Sequence, residues 1–148
     1  NHADALNYLG YMFAERGVRL GEAENFIKRA LESNPDNGAY LDSLGWVFYQ
    51  SGDYRRAQTF LKRALSQEEI RLRRVGEGEM ARRNAMRENL AVIYDHVGDC
   101  ALALNQFDEA RKRWEQALAH DPSMQKTHEK LSELSRKHGP RTEGDVAP

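Results

Sequence analysis

The sequence predicts an all-α fold of antiparallel helix hairpins packed side by side. Three observations predict it. Stretches return at a fixed spacing: residues 9–13 (LGYMF) come back as 44–48 (LGWVF), and 21–31 (GEAENFIKRAL) as 55–65 (RRAQTFLKRAL). Apolar residues recur at three- and four-residue intervals, the period of an amphipathic helix. Period-two alternation, the mark of a half-buried strand, does not persist anywhere.

The spacing sets the organisation. Ala23 to Ala57 and Ala30 to Ala64 are each 34 residues apart, whereas Ala57 to Ala110 and Ala64 to Ala117 are each 53. The difference, 53 − 34 = 19, places one insertion of 19 residues between Ala64 and Gly98. Within a domain over 1–139, the three repeats cover 3–37, 38–71 and 91–124, with an extended helical insertion at about 68–89.

Each repeat reads as two helices and a turn. In repeat two, Leu41, Leu44, Val47 and Phe48 form the stripe of the first helix. Gly52 ends that helix, because glycine takes the left-handed conformation without a Cβ clash. Ala57, Phe60, Leu61, Ala64 and Leu65 form the stripe of the second. Gly10, Gly45 and Gly98 lie inside helices, where glycine costs about 1 kcal/mol relative to alanine. That cost is expected where a paired helix approaches closely. Ala23, Ala57 and Ala110 are expected to supply the facing small surface, with Ile27, Leu61 and Trp114 one turn away in the wider gaps. Pro35 and Pro122 stop the helices that end repeats one and three. Residues 125–138 read as a further helix with an apolar edge of Leu131 and Leu134, suited to cap the stack. Residues 140–148 read as a disordered tail.

The pattern resembles the tetratricopeptide repeat. The residues that carry the resemblance are Leu9, Gly10, Phe13, Gly17, Ala23, Ala30 and Pro35 in repeat one. In repeat two they are Leu44, Gly45, Phe48, Gly52, Ala57, Leu61 and Ala64. In repeat three they are Tyr94, Gly98, Ala110, Trp114, Ala117 and Pro122. Residues 7–17 (NYLGYMFAERG) and 40–46 (YLDSLGW) are similar to bacterial members. The sequence departs from the family in three places. Repeat one has an extra residue in its turn, over 17–23. Glu69 stands where proline is usual. Asn105 stands where the turn glycine is usual, and asparagine tolerates the same backbone conformation. The resemblance implies a right-handed α-solenoid of three such repeats, the last two separated by the insertion, with a C-terminal capping helix. It also implies a concave side lined by the first helices that receives an extended peptide or a partner helix.

Composition narrows the function. The 148 residues carry 22 Lys and Arg against 23 Asp and Glu, a formal net charge of −1, which disfavours a strongly basic nucleic-acid binder. At 40% apolar, the chain has enough hydrophobic residues for a core. Cys100 is the single cysteine, which excludes an internal disulfide framework and a paired-cysteine metal site. No apolar run approaches the roughly 20 residues of a membrane-spanning helix. No phosphate loop, zinc-protease motif, nucleophile elbow or metal quartet occurs. The reading is therefore a non-enzymatic chain with no cofactor and no metal. Cys100 lies four residues from His96, a helical spacing that allows a nucleophile pair. The plainer account is a small apolar helix residue beside a surface histidine.

The expected groove residues are Asp4, Asn7, Tyr8 and Tyr11 from repeat one, Asp42, Trp46 and Tyr49 from repeat two, and Asp95, His96 and Asp99 from repeat three. They are mostly aromatic and acidic. Tyrosine and tryptophan give large contact area at small entropy cost. Carboxylates and rings together favour a basic partner with apolar anchors. The plainer account of the same residues is inter-helix packing and a solvated face. A subset of the family grips the carboxylates of chaperone tails with a basic clamp. At the corresponding places this sequence has Asn7, Tyr11, Ser43, Val92 and His96, so binding of acidic chaperone tails is not expected.

The insertion, over 66–89, is expected to lengthen two helices by about nine residues each, roughly 13 Å, around a break at 76–78 (GEG). Arg71, Arg73, Arg74, Arg82, Arg83 and Arg87 make it locally basic. This suits an anionic partner or lipid headgroups, or a solvated hairpin in which glutamates pair with the arginines at helical spacing. RNA binding is disfavoured, since no stacking aromatics interleave with these arginines.

The function expected is a protein-interaction scaffold that binds a peptide or helix. Self-assembly through the N-terminal end or the projecting hairpin is the rival. The chain begins inside a helical pattern without an initiator methionine and reads as cut from a longer protein. Cytoplasm and bacterial cell envelope both stay open, and the sequence does not name the partner.

Overall fold

A computed structural model describes residues 1–139, and the expected tail at 140–148 lies outside them. The described residues form seven helices: α1 (His2–Glu15), α2 (Leu20–Ser33), α3 (Gly38–Gln50), α4 (Tyr54–Arg74), α5 (Met80–Ala103), α6 (Phe107–His120) and α7 (Gln125–His138). They group into two compact units, the first Asn1–Met86 and the second beginning at Arg87, with the boundary inside α5.

In the first unit local chemistry sets the helix ends. The Asn1 side chain accepts from the Asp4 N–H, and Asp4 reaches back to the Asn1 backbone, a reciprocal cap. Asn37 and Asp53 cap α3 and α4 by accepting from Tyr40 N–H and Arg56 N–H. Gly17 (φ 63°) and Gly52 (φ 80°) turn the chain between helices in the left-handed region. The extra residue in the first turn is absorbed by Arg19, at φ 50°.

α3 is the centre of this unit and packs on α1, α2 and α4. Its residues from Tyr40 to Phe48 are all buried. The hairpins lock where a glycine meets a large side chain. A Cβ on Gly10 would stand 2.6 Å from Ile27 Cγ1, and one on Gly45 would stand 2.6 Å from Leu61 Cγ. The Ala23 carbonyl oxygen would stand 2.9 Å from the Gly10 Cβ, as the expected close approach requires, but Ile27 and Leu61, expected one turn away, come nearest to the glycines. Ile27 and Leu61 lie directly on the glycines, because full burial of a large aliphatic side chain there contributes about 1.5–3 kcal/mol. Ala23 and Ala57 are also fully buried.

α4 has 21 residues against 14 in α2, seven more, an extension of about 10 Å. α5 has 24 against 14 in α1, ten more. The extended part of α4 still packs on α3. The buried Glu68 carboxylate occupies the space a Cβ on Gly38 would need, beside the N-terminus of α3 where negative charge is favoured.

In the second unit the core joins Ala101, Ala110, Trp114 and Leu134, with Phe107 and Leu131 against it. Gly98 repeats the motif of the first unit, since its Cβ would meet Trp114 Cδ1 at 2.5 Å. Asn105 turns the chain at φ 59°, and Tyr94 stacks on His120 with centroids 5.4 Å apart. Buried Arg111 donates from Nη2 to the Gly139 carbonyl at 2.7 Å and ties the end of α7 to α6. Among the described residues no helix is long and apolar enough to cross a membrane, and no group of three His, Cys, Asp or Glu is placed to hold a metal.

Candidate functional site

The first unit gathers its expected site residues on α1 and α3. Asp42 and Trp46 share a helical face at the four-residue spacing, and Tyr49 lies one turn beyond. Trp46 stacks on Tyr49 with centroids 4.5 Å apart and planes 5° from parallel, and Tyr49 packs on Tyr54 at 5.4 Å. On α1, Tyr8 is open to solvent and Tyr11 is half-buried. Burial pushes the Tyr11 phenol well above its ordinary value. The Glu15 carboxylate, which accepts its hydrogen bond, and the charge of Asp42 push it further. Tyr11, Glu15 and Asp42 thus form one acidic–aromatic cluster in which the phenol stays protonated and donates. Among the described residues, nothing hydrogen-bonds the buried Asn7 Oδ1.

Asp4 belongs to the same unit but serves the α1–α3 contact. Its Oδ1 accepts from the Tyr40 hydroxyl. The bond holds Asp4 below the ordinary carboxylate value and pushes Tyr40 up to about 12.

In the second unit, Asp95, His96 and Asp99 were expected to face a ligand. The structure engages them internally. Lys130 of α7 bridges the two carboxylates, 2.9 Å from Asp95 Oδ2 and 2.7 Å from Asp99 Oδ1. Thr127 Oγ1 donates to Asp95 at 2.7 Å, and Trp114 Nε1 donates to Asp99 at 3.1 Å. Burial and the neighbouring Asp95 charge raise Asp99, and Lys130 opposes them. This network fastens α7 to α5 and α6. His96 is buried, which corrects its reading as a surface histidine, and Cys100 is fully enclosed.

Of the arginines of the insertion only Arg83 is half-buried, and Arg71 and Arg82 are exposed though bonded. Arg71 pairs with Glu68 at 2.8 Å, Arg82 with Glu79 at 2.9 Å, and Arg83 donates to the Val75 carbonyl at 2.7 Å. Arg73, Arg74 and Arg87 are exposed.

Sequence reasoning missed Glu15, Tyr54 and Lys130. Glu15 carried a signal, since it stands four residues after Tyr11 on one helical face. Lys130 carried an indirect one, since Asp95 and Asp99 form a same-face carboxylate pair that needs a cation.

Two sequence profiles, both described as tetratricopeptide repeat, match residues 40–81 and 91–124. Together these are 42 + 34 = 76 of the 148 residues. The chain belongs to the tetratricopeptide repeat family. It is 46% identical over 65 residues to the TPR repeat-containing protein PA4667 of Pseudomonas aeruginosa, a match that spans 44% of this chain and 11% of that protein. It is similar in fold to the Sgt2 TPR domain of Aspergillus fumigatus, with a TM-score of 0.71, 15% identity, and coverage of 99% of this chain and 90% of that one. It is likewise similar to the first TPR of Spaghetti (RPAP3) bound to the HSP90 peptide SRMEEVD, with a TM-score of 0.70, 17% identity, and coverage of 92% and 94%.

Proposed function

We propose that this tetratricopeptide repeat chain is a protein-interaction module whose first unit recognises a basic peptide or helix on the α1–α3 surface. The observation that carries the reading is the accessible set of Tyr8, Tyr11, Glu15 and Tyr49, while Asp42 and Trp46, expected to face the groove, are buried behind it at 8% and 9% exposure and contribute charge and ring packing from below. Carboxylates next to ring faces favour a lysine or arginine side chain, by charge and by cation–π attraction. Tyr8 and Tyr49 add contact area. Recognition here means burial and electrostatic fit, without bond making. The similarity to a domain bound to an HSP90 peptide supports peptide binding in general. The residues at the clamp positions, Asn7, Tyr11, Ser43, Val92 and His96, argue against acidic tails.

Fluorescence polarisation with labelled heptapeptides tests this. A peptide of alternating arginine and leucine binds the wild-type chain, and affinity falls at least tenfold in Tyr8→Ala/Tyr11→Phe/Tyr49→Ala with helicity unchanged. The acidic peptide SRMEEVD does not bind. Equal binding of both peptides, or equal binding by the variant, refutes the reading.

One observation favours a second reading, assembly through α1. Gly10 and Gly45 are equivalent, so Tyr8 and Leu9 correspond to Ser43 and Leu44. Ser43 and Leu44 are 4% and 2% exposed on α3, whereas Tyr8 and Leu9 are 66% and 41% exposed on α1. A further hairpin or a second copy docked on α1, as α1 and α2 dock on α3, covers them. Sedimentation velocity across concentrations tests this: wild type gains mass and Leu9→Glu does not. A monomer at every concentration excludes self-association.

A further inference from the structure

The second unit holds a pocket of about 390 Å³ that the groove reading does not use. It opens between the last turn of α5, the start of α6 and the C-terminal half of α7. The volume lies at the lower end of small-ligand sites, roughly 300–1,000 Å³.

Its walls are largely carbon. Leu102, Phe107, Trp114 and Leu134 line it. The polar atoms around them are already committed. Trp114 Nε1 is bonded to Asp99, and Lys130 is held by Asp95 and Asp99 while it lies over the Trp114 ring, 5.9 Å from its centroid. Lys137 pairs with Glu133 at 2.8 Å. His138 stacks on Phe107 with centroids 3.8 Å apart and closes one side. An anion entering here meets no lysine without a counter-ion. A cation meets carboxylates that Lys130 and Lys137 already hold. Charge balance therefore selects an uncharged, apolar occupant. Two polar side chains stand outside these ion pairs, His138, which lays its ring on Phe107, and Asn105. Asn105, exposed in its left-handed turn, brings a carboxamide to the pocket that can donate to and accept from one peptide unit.

We propose that this pocket is an anchor site for one large apolar side chain, leucine, methionine or an aromatic, of a polypeptide whose backbone hydrogen-bonds Asn105. The proposal rests on the interaction-module reading in one respect, that the occupant belongs to a protein partner. It uses no residue of the α1–α3 surface, so either can fail alone.

The test is a ¹H–¹⁵N NMR titration of the 148-residue chain with capped amino acids. N-acetyl-tryptophanamide and N-acetyl-leucinamide are expected to give saturable shifts confined to amides 102–107 and 131–138, with a dissociation constant of about 1 mM, the weak end of measurable affinity. N-acetyl-lysinamide and N-acetyl-glutamamide at equal concentration leave those amides in place. Leu102→Glu weakens the response at least tenfold. Leu102 is 38% exposed, so this change leaves the fold intact. Asn105→Gly keeps the turn and lowers affinity about threefold. Three results overturn the proposal: shifts scattered over the surface, a lysine analogue that binds as well as the tryptophan analogue, or Leu102→Glu binding as wild type does. Binding that appears only when residues 140–148 are removed also overturns it, in favour of occupation by the chain's own end.

Discussion

Replacing Lys130 with methionine isolates what holds α7 in place. Methionine keeps the stem and removes the charge. In the wild type, Nζ lies 2.7–3.1 Å from all four oxygens of Asp95 and Asp99. Removing one partner of a buried ion pair costs about 3–5 kcal/mol, because the charge left behind is uncompensated. Lys130 is 30% exposed and the two aspartates 13–14%, so solvent screens part of this and about 2 kcal/mol is expected at neutral pH. The cost depends on pH. Burial and Asp95 already raise Asp99 above its ordinary value. A carboxyl with a raised folded value contributes stability that is complete below its unfolded value and lost as pH rises through the folded one. Without Lys130 that loss grows, so Lys130→Met is most damaging at pH 7 and less so at pH 4. Amide hydrogen exchange reads this locally. At pH 7, exchange across 125–138 speeds up about thirtyfold relative to wild type, from the tenfold per 1.4 kcal/mol relation. Exchange in α1 to α3 does not change. Asp99→Asn, which keeps an acceptor for Trp114 and removes the raised group, stays within about 1 kcal/mol of wild type. An exchange ratio equal at both pH values, or no change in α7, refutes the electrostatic account.

Three further outcomes follow from the packing and the turns. Gly45→Ala drives a Cβ to 2.6 Å from Leu61 Cγ and 3.2 Å from the Leu61 backbone nitrogen, so it costs about 1–3 kcal/mol in urea unfolding. Leu61→Ala in the same chain recovers part of that cost in a double-mutant cycle. Gly52→Ala, at φ 80°, costs about 1–2 kcal/mol, whereas Asn105→Gly, at φ 59°, is neutral or stabilising by thermal melting. The Asp4–Tyr40 bond gives acid sensitivity of a defined sign. Asp4 is held below its ordinary value, so its contribution is present above that value and lost as pH falls through the lowered one. Tyr40→Phe is expected to flatten the acid limb of α1 exchange between pH 5 and pH 2.

The helices and their spacing were legible because they rest on local signals: apolar period, glycine turns and asparagine or aspartate caps. Asn105 shows how far this goes, since its left-handed turn follows from residue chemistry alone. The contacts of the interior glycines were less legible. Periodicity says which face of a helix is buried, not which residue of the facing helix sits on the glycine. Ile27, Leu61 and Trp114 take that place through rotamers that no spacing encodes. The site divides in the same way. Tyr11 with Glu15, and Trp46 with Tyr49, are neighbours on one helix. The joining of Tyr11 to Asp42, 31 residues on, needs the tertiary fold. Asp95 and Asp99 read as ligand-facing because they share a helix face. Their partner Lys130 stands on α7, whose register against α5 is set by tertiary packing and by no local signal.

The central claim is that the α1–α3 surface receives the partner. Its most direct test is ¹H–¹⁵N chemical-shift mapping of the chain with the arginine–leucine heptapeptide. The account predicts shifts at Asn7, Tyr8, Tyr11, Asp42 and Tyr49 that saturate together and weaken with added salt. Shifts confined to the arginines of 71–87, or to α5 to α7, contradict it.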